Sequence, residues 1–448
     1  MKKYLEFINA NKDFMFEDIM RFVLIDSVYD EKTVSKTRPF GNGVEGALEF
    51  VAELGKKHGF AVDRCDGYCT ELTLGEGEKT IGIFAHADVV PPTGVWKTAP
   101  FDPFIEEGKL YGRGSSDDKG PFMAAFYAVL ALKNAGLIKG YKVRFVVGGD
   151  EERGSRCLEY YFHKLNKPNP TYGFTPDADF PLIYGEKGIN DFFPEIKVEI
   201  PHVKKMSGGV ATNAVCDKAT IELDDAKEVI EFCEKNSIAF KAEGNTVRIF
   251  GRAAHGSTPE KGVNAAIKAF AILGKVYKVE KLAQLADCLS ETTGKKWGGF
   301  CETKLMGKTT YCIGMISYEK GLLKFSVNFR YPETVKSVEY KDKFDAYFGT
   351  KSTMGEESPF LLFDPKSSLV KTLMKAYRKE SFDYFHDAMT IGGGTYAKHC
   401  QNTVAFGALF PGREYVMHQP NEYMPIDDIV AASRIYARAI LALGKLKK

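Results

Sequence analysis

Apolar residues fall along this chain in two patterns. Some form short unbroken runs, and others recur every three or four positions. The run Ile81–Ala85 is rich in β-formers, the pattern of a buried strand. Tyr141–Val147, Tyr172–Phe174 and Thr403–Leu409 read the same way, with Phe60–Val62 and Thr70–Leu74 as shorter strands. Helical spacing marks Phe16–Leu24, Val44–Leu54, the alanine-rich Pro121–Ala135, Ser367–Arg378 and Ile426–Leu443. Ile105–Tyr111 predicts a hairpin turning at Gly108-Lys109.

From about residue 190 to the 360s the pattern changes. Strand signals dominate, at Phe192–Val198, Ala219–Leu223, Thr246–Phe250, Thr310–Ile316 and Leu323–Arg330. Helical signals intervene at Asp225–Asn236 and Asn264–Tyr277. This mixed order predicts an α+β insert within an α/β chain. The length of 448 residues exceeds what one core organises, so two or three domains are expected.

The formal net charge of +2 gives no electrostatic reason to expect nucleic acid or an anionic membrane as partner. No apolar run is long enough to span a bilayer. Two lysines follow Met1 with no apolar core behind them, so a signal peptide is not expected and a cytoplasmic location is. The nine cysteines are scattered and none has Cys-x-x-Cys spacing, the usage of free thiols in a reducing compartment.

The chemistry gathers where the apolar runs stop. Ile81–Ala85 ends in His86-Ala87-Asp88. Ligands of open α/β sheets bind at the carboxyl ends of strands. A neutral imidazole ligates zinc and similar metals, and a nearby carboxylate can fix its tautomer. A single His-x-Asp triplet is most often an ordinary turn, but the event recurs. Tyr141–Val147 runs into Asp150-Glu151-Glu152, Tyr172–Phe174 into Asp177, and Thr403–Leu409 is followed by His418. Adjacent carboxylates repel, so a metal on one and general-base work on its neighbour would account for the cluster. Gly112–Gly120 precedes a helix but lacks P-loop order. Asp117 and Asp118 would repel a phosphate, and Asp117 reads as a metal ligand. His86, Asp117, Glu152, Asp177 and His418 are too many for one tetrahedral site, but they fit two metals if one carboxylate bridges. With Asp88 and Glu151 alongside, one uncoordinated carboxylate can take a water's proton and return it to a leaving amine. The reaction class is metal-assisted amide hydrolysis. In the insert, His255 and Arg330 stand at strand ends, where each alone reads as packing or surface charge. The Gly392-Gly393-Gly394 loop lets backbone approach a ligand.

These motifs, in this order, resemble the co-catalytic metallopeptidases that include peptidase V, carnosinase, glutamate carboxypeptidases, acetylornithine deacetylase and succinyl-diaminopimelate desuccinylase. The matching stretches are His86–Pro91, Gly112–Gly120, Asp150–Glu152, Pro176–Ala178, the His255 island and His418. Thr175–Pro181, Gly185–Gly188, Ile391–Tyr396, Ala405–Gly412 and His418–Asp428 look most like the peptidase V dipeptidases. The resemblance implies that His86 and Asp177 hold one metal, Glu152 and His418 the other, and Asp117 bridges them across a cis Asp117–Asp118 peptide. Asp88 would orient His86, and Glu151 would be the general base. His255 would stabilise the oxyanion. Arg330 and Asn213 would bind the substrate carboxylate, with backbone contacts from Gly393. The implied architecture is α/β: a catalytic domain, 1–189 and 363–448, with a mixed, mostly parallel central sheet flanked by helices, and an inserted α+β lid domain, 190–362. The implied function is a metal-dependent dipeptidase taking small peptides with a free C-terminal carboxylate. An N-acyl-amino-acid deacylase or desuccinylase is the alternative. Two divalent ions, zinc with manganese or cobalt as alternatives, and a monomer are expected.

Overall fold

Strand Lys79–His86 is buried from Thr80 onward, as its unbroken apolar run requires. The computed structural model, which describes residues 2–446, places it inside a mixed sheet. Tyr141–Gly148 pairs parallel on one side and Tyr172–Thr175 parallel on the other. Thr403–Ala405 continues the parallel block beside Tyr172–Thr175. Outside this block the pairing turns antiparallel, through Cys69–Gly75 and Ala61–Asp63 at one edge and at Ala405↔Ile183 towards the other. The four central strands of this sheet thus pair parallel, and their carboxyl ends share one edge. Helix Lys119–Asn134 is buried on all sides from Lys119 to Leu132, which explains its apolar, alanine-rich composition. Helix Ile426–Lys445 packs against it, and both touch Lys79–His86.

Two details depart from the sequence pattern. Thr403–Leu409 is not one strand: it breaks into Thr403–Ala405 and Ala408–Leu409. Gly407 between them has φ 81°, and a Cβ there would lie 2.3 Å from the Phe180 ring, so only glycine fits. The hairpin Phe104–Glu106/Lys109–Tyr111 gains a third strand, Tyr423–Pro425, whose Tyr423↔Tyr111 register sets residues 418–422 beside the Gly112 loop.

The chain divides into two units. The first holds the sheet above and takes in the chain up to Tyr184, Phe363–Met389 and the chain from Gly394 onward. The second is Gly185–Leu362 with Thr390–Gly393. The second unit takes in Gly185 and Glu186, which pair with its own Leu362 and Leu361, and strand Gly188–Lys197, which pairs from its first residue with Tyr331 of strand Leu322–Tyr331. Residues 390–393 join the second unit through Thr390 Oγ1, which donates to the Leu305 carbonyl, and through the Gly392 carbonyl, which accepts from Arg330.

The second unit carries an eight-stranded sheet, antiparallel at every pairing. Burial alternates along Gly188–Lys197, the signature of a sheet with one face covered. Helices Lys227–Lys235, Ala265–Val276, Glu280–Leu289 and Ser337–Phe348 contribute to its separate hydrophobic core. Among the described residues all nine cysteines are free, and no helix is long and apolar enough to cross a membrane.

Candidate metal centre

His86 leaves the end of its strand fully buried. Its Nδ1 lies 2.9 Å from the Asp88 backbone carbonyl, which can only accept, so the proton sits on Nδ1. That leaves Nε2 aimed at carboxylates: 2.9 Å from Asp117 Oδ1 and 3.5 Å from Asp177 Oδ2. Asp88 serves two neighbours. Its carboxylate stands 3.6 Å from His86 Nδ1 and accepts the backbone N–H groups of Glu151 and Glu152, each at 3.1 Å. The Asp88 carbonyl orients His86, and its carboxylate anchors the turn that carries the two glutamates.

Asp117 stands between two imidazoles. Its Oδ1 faces His86, and its Oδ2 lies 2.8 Å from His418 Nε2. Glu152 Oε1 is 3.0 Å from the same His418 nitrogen. Two groups result, His86/Asp117/Asp177 and Asp117/Glu152/His418, and within each group the potential ligand atoms lie within 4.8 Å of one another. All five sequence-expected ligands are therefore brought together, with Asp117 common to both groups. The Asp117–Asp118 peptide is cis. Asp118 is fully buried, and its Oδ2 accepts the His86 backbone N–H at 3.1 Å.

Burial and mutual repulsion set the charges of the cluster. Burial, then Asp177, Glu152 and Asp117, holds the Glu151 carboxyl well above the usual range. Burial and then Asp117 pushes Glu152 up to about 7 and raises Asp177 as well. Burial alone would also raise Asp117, but hydrogen bonds with His418 and His86 outweigh it and hold that carboxyl well below its usual value. For His418, burial works downwards, and Asp117 and Glu152 overcome it to lift the imidazole to about 11. This is a nitrogen-and-oxygen donor set crowded with negative charge, and divalent cations relieve such crowding. Among the described residues the Glu151 carboxylate has no hydrogen-bond partner, which leaves it available for proton transfer.

Sequence reasoning missed the residue that shapes the Asp117 loop. Glu422 is fully buried, and its Oε1 accepts from the backbone N–H groups of Gly114 (3.1 Å), Ser116 (2.9 Å) and Asp117 (3.2 Å) and from Ser116 Oγ (3.2 Å). Its Oε2 pairs with the buried Arg113, over which the Trp96 ring sits at 5.2 Å. Only the spacing His418-x-x-x-Glu422 hinted at this. Glu422→Ala leaves Arg113 as an uncompensated buried charge and orphans the loop's donors. It is expected to destabilise the protein by about 3–5 kcal/mol, seen as a lower denaturation midpoint, and to weaken metal binding through the displaced Asp117.

The sequence profile of peptidase family M20/M25/M40 matches residues 82–442. The chain belongs to this peptidase family. It is a metallopeptidase, and its fold agrees. YtjP of Bacillus subtilis, provisionally designated a dipeptidase, is 36% identical over 98% of this chain and 99% of its own length. A Staphylococcus epidermidis protein with the same provisional designation is 33% identical over 99% and 98%. Among solved structures, human carnosine dipeptidase 1 superposes with a TM-score of 0.63 at 16% identity, covering 99% of this chain and 98% of that one. The dipeptidase Dug1p of Saccharomyces cerevisiae gives 0.62 at 15%, covering 100% and 99%.

The residues expected to touch substrate from the insert also converge, wholly within this family member's second unit. Asn213 and His255 are neighbours: Gly256 N donates to the Asn213 carbonyl at 2.7 Å, and Ala214 bridges His255. A Cβ on Gly256 would sit 2.7 Å from Asn328 Oδ1, so glycine permits this approach. The Ser257 backbone N–H donates to His255 Nδ1 at 3.3 Å, which makes Nδ1 an acceptor and places the proton on Nε2. Arg330 is buried, and its Nη1 donates to the Gly392 carbonyl at 2.5 Å, next to Gly393.

Proposed function

We propose that the protein is a dipeptidase that uses two divalent cations, most simply zinc, with manganese or cobalt also suited to the ligands. The observation that carries the reading is Asp117, shared between two groups of potential metal ligands. In this reading His86 and Asp177 would hold one ion, Glu152 and His418 the other, and Asp117 would serve both. Cations held there would supply Lewis acidity to a carbonyl and lower the pKa of water. Glu151 accepts the attacking water's proton and delivers it to the departing amine as the C–N bond breaks. The second unit acts as a lid. His255, protonated at Nε2, donates to the oxyanion. Arg330, with Asn213 and the Gly393 backbone, binds the free C-terminal carboxylate, which limits substrates to short peptides. The designations of the two bacterial relatives support dipeptides as the substrate class. Nine free thiols suit a reducing cytoplasm, and the large second unit suits a monomer.

The test is hydrolysis of several L-dipeptides, a tripeptide, and N-acetyl and N-succinyl amino acids by metal-stripped protein with zinc, manganese or cobalt restored. Dipeptide cleavage that returns only with metal is expected. Cleavage of the N-acylated compounds alone would replace the dipeptidase reading with a deacylase. Stripping the metal is also expected to lower thermal stability, since a ligand at 100 times its Kd adds about 2.7 kcal/mol to the folded state. A melting temperature indifferent to metal would contradict the centre.

A further inference from the structure

Arg330 is 3% exposed, yet among the described residues no carboxylate pairs with it. Two neutral oxygens hold its guanidinium. Nε donates to Asn328 Oδ1 at 2.9 Å and Nη1 to the Gly392 carbonyl at 2.5 Å. The other donors of its planar fork stay available to an anion. Asn328 lies two residues upstream in strand Leu322–Tyr331, on the same face, and is itself buried. Its amide could present either end to Arg330. The choice is made by Asp191, the residue directly opposite Asn328 across the ladder. Asn328 Nδ2 donates to Asp191 Oδ1 at 2.7 Å, which turns Oδ1 of the amide towards Arg330. Thr212 Oγ1 donates to Asp191 Oδ2 at 2.7 Å and fixes the carboxylate.

The hydrogen bonds run in one direction, from guanidinium through amide to carboxylate. Burial pulls the Arg330 guanidinium down to about 10, and Asp191 is the leading charge that works against this. A carboxylate paired directly with Arg330 would occupy its fork and compete with an incoming anion. One amide removed, the same charge orients the fork and supports its positive state while leaving its outer donors open.

We propose that Asp191, acting through Asn328, is a positioning residue that sets Arg330 for a substrate's C-terminal carboxylate and thereby the preference for a free acid over its amide. This rests on the reading of Arg330 as the carboxylate clamp.

The test compares a dipeptide with its C-terminal amide on metal-loaded wild type, Asp191→Ala, Asp191→Asn and Arg330→Ala. Asp191→Ala is expected to raise KM for the acid by about 10–100-fold, the worth of one charged hydrogen bond. Its kcat should stay within a few-fold and its amide kinetics unchanged. Asp191→Asn can still accept from Asn328 and, being near-isosteric, keeps the test available if the alanine variant fails to fold. It should recover most of the acid preference. Arg330→Ala should abolish that preference. If Arg330→Ala preserves the acid-to-amide ratio, the clamp reading falls and this inference with it. If Arg330→Ala abolishes the ratio but Asp191→Ala leaves it intact, or lowers kcat equally on acid and amide, the inference alone is overturned.

Discussion

Glu151→Gln is expected to lower kcat for dipeptide hydrolysis by roughly two to four orders of magnitude, the usual contribution of a positioned general base. Glutamine has nearly the same shape, and the Asp88 carboxylate would still accept the backbone N–H groups of residues 151 and 152. The turn should therefore hold, and Glu152 should stay in place. Metal content, measured on the purified variant, is expected to match wild type. The reasoning is electrostatic. The Glu151 carboxyl is pushed up by burial first and by Asp177, Glu152 and Asp117 after it. A neutral amide relieves that repulsion, so the variant should be at least as stable as wild type. An active variant would remove Glu151 from the reaction, and an inactive one that has lost metal would make it a ligand.

Asp117→Ala is the second large effect, and it differs in kind. Among the described residues the two groups of potential ligands meet only at Asp117, whose two oxygens face different histidines. Removing that carboxylate leaves each group with two residues and takes away the negative charge between two imidazoles. Residues that merely orient a ligand typically contribute 10–100-fold to metal affinity. Loss of a shared ligand should exceed roughly 100-fold at both positions. Asp177→Ala and Glu152→Ala should each weaken one ion and spare the other. Calorimetric titration with zinc separates these patterns: one weak and one strong event for the single-group variants, and two weak events for Asp117→Ala. A strong event surviving in Asp117→Ala would show that the groups do not share it.

How much of this was readable from the chain follows from how local each signal is. His86, Glu152 and Asp177 follow apolar runs whose burial fixes them as central parallel strands, so pattern alone brings their carboxyl ends to one edge of the sheet. Asp117 was readable from a loop of glycines and serines ending in two aspartates. Glu422 was not, because its role depends on Arg113, 309 residues away in sequence, and a buried glutamate looks like a surface one until the loop folds over it. Asp191 was hidden for the same reason, and so was its pairing with Asn328 of the Asn328–Pro332 island: a cross-strand pair has no local pattern. Helix Ser337–Phe348 buries only Ser337, Phe344 and Phe348, too few apolar positions to show a helical period. The start of the second unit was legible in outline, because the sequence changes character at Gly185–Gly188, while its exact residue depends on pairing partners more than a hundred residues onward. For Asp88 the residue was legible but not the atom: carbonyl and carboxylate serve different neighbours.

The most direct test of the central claim is a metal titration of stripped protein with dipeptide hydrolysis and bound metal measured on the same samples. The account predicts activity that rises with occupancy and saturates at two ions per chain, with Asp117→Ala failing to reach that plateau at the same metal concentrations. Full activity at one ion per chain, or hydrolysis indifferent to metal, would contradict it.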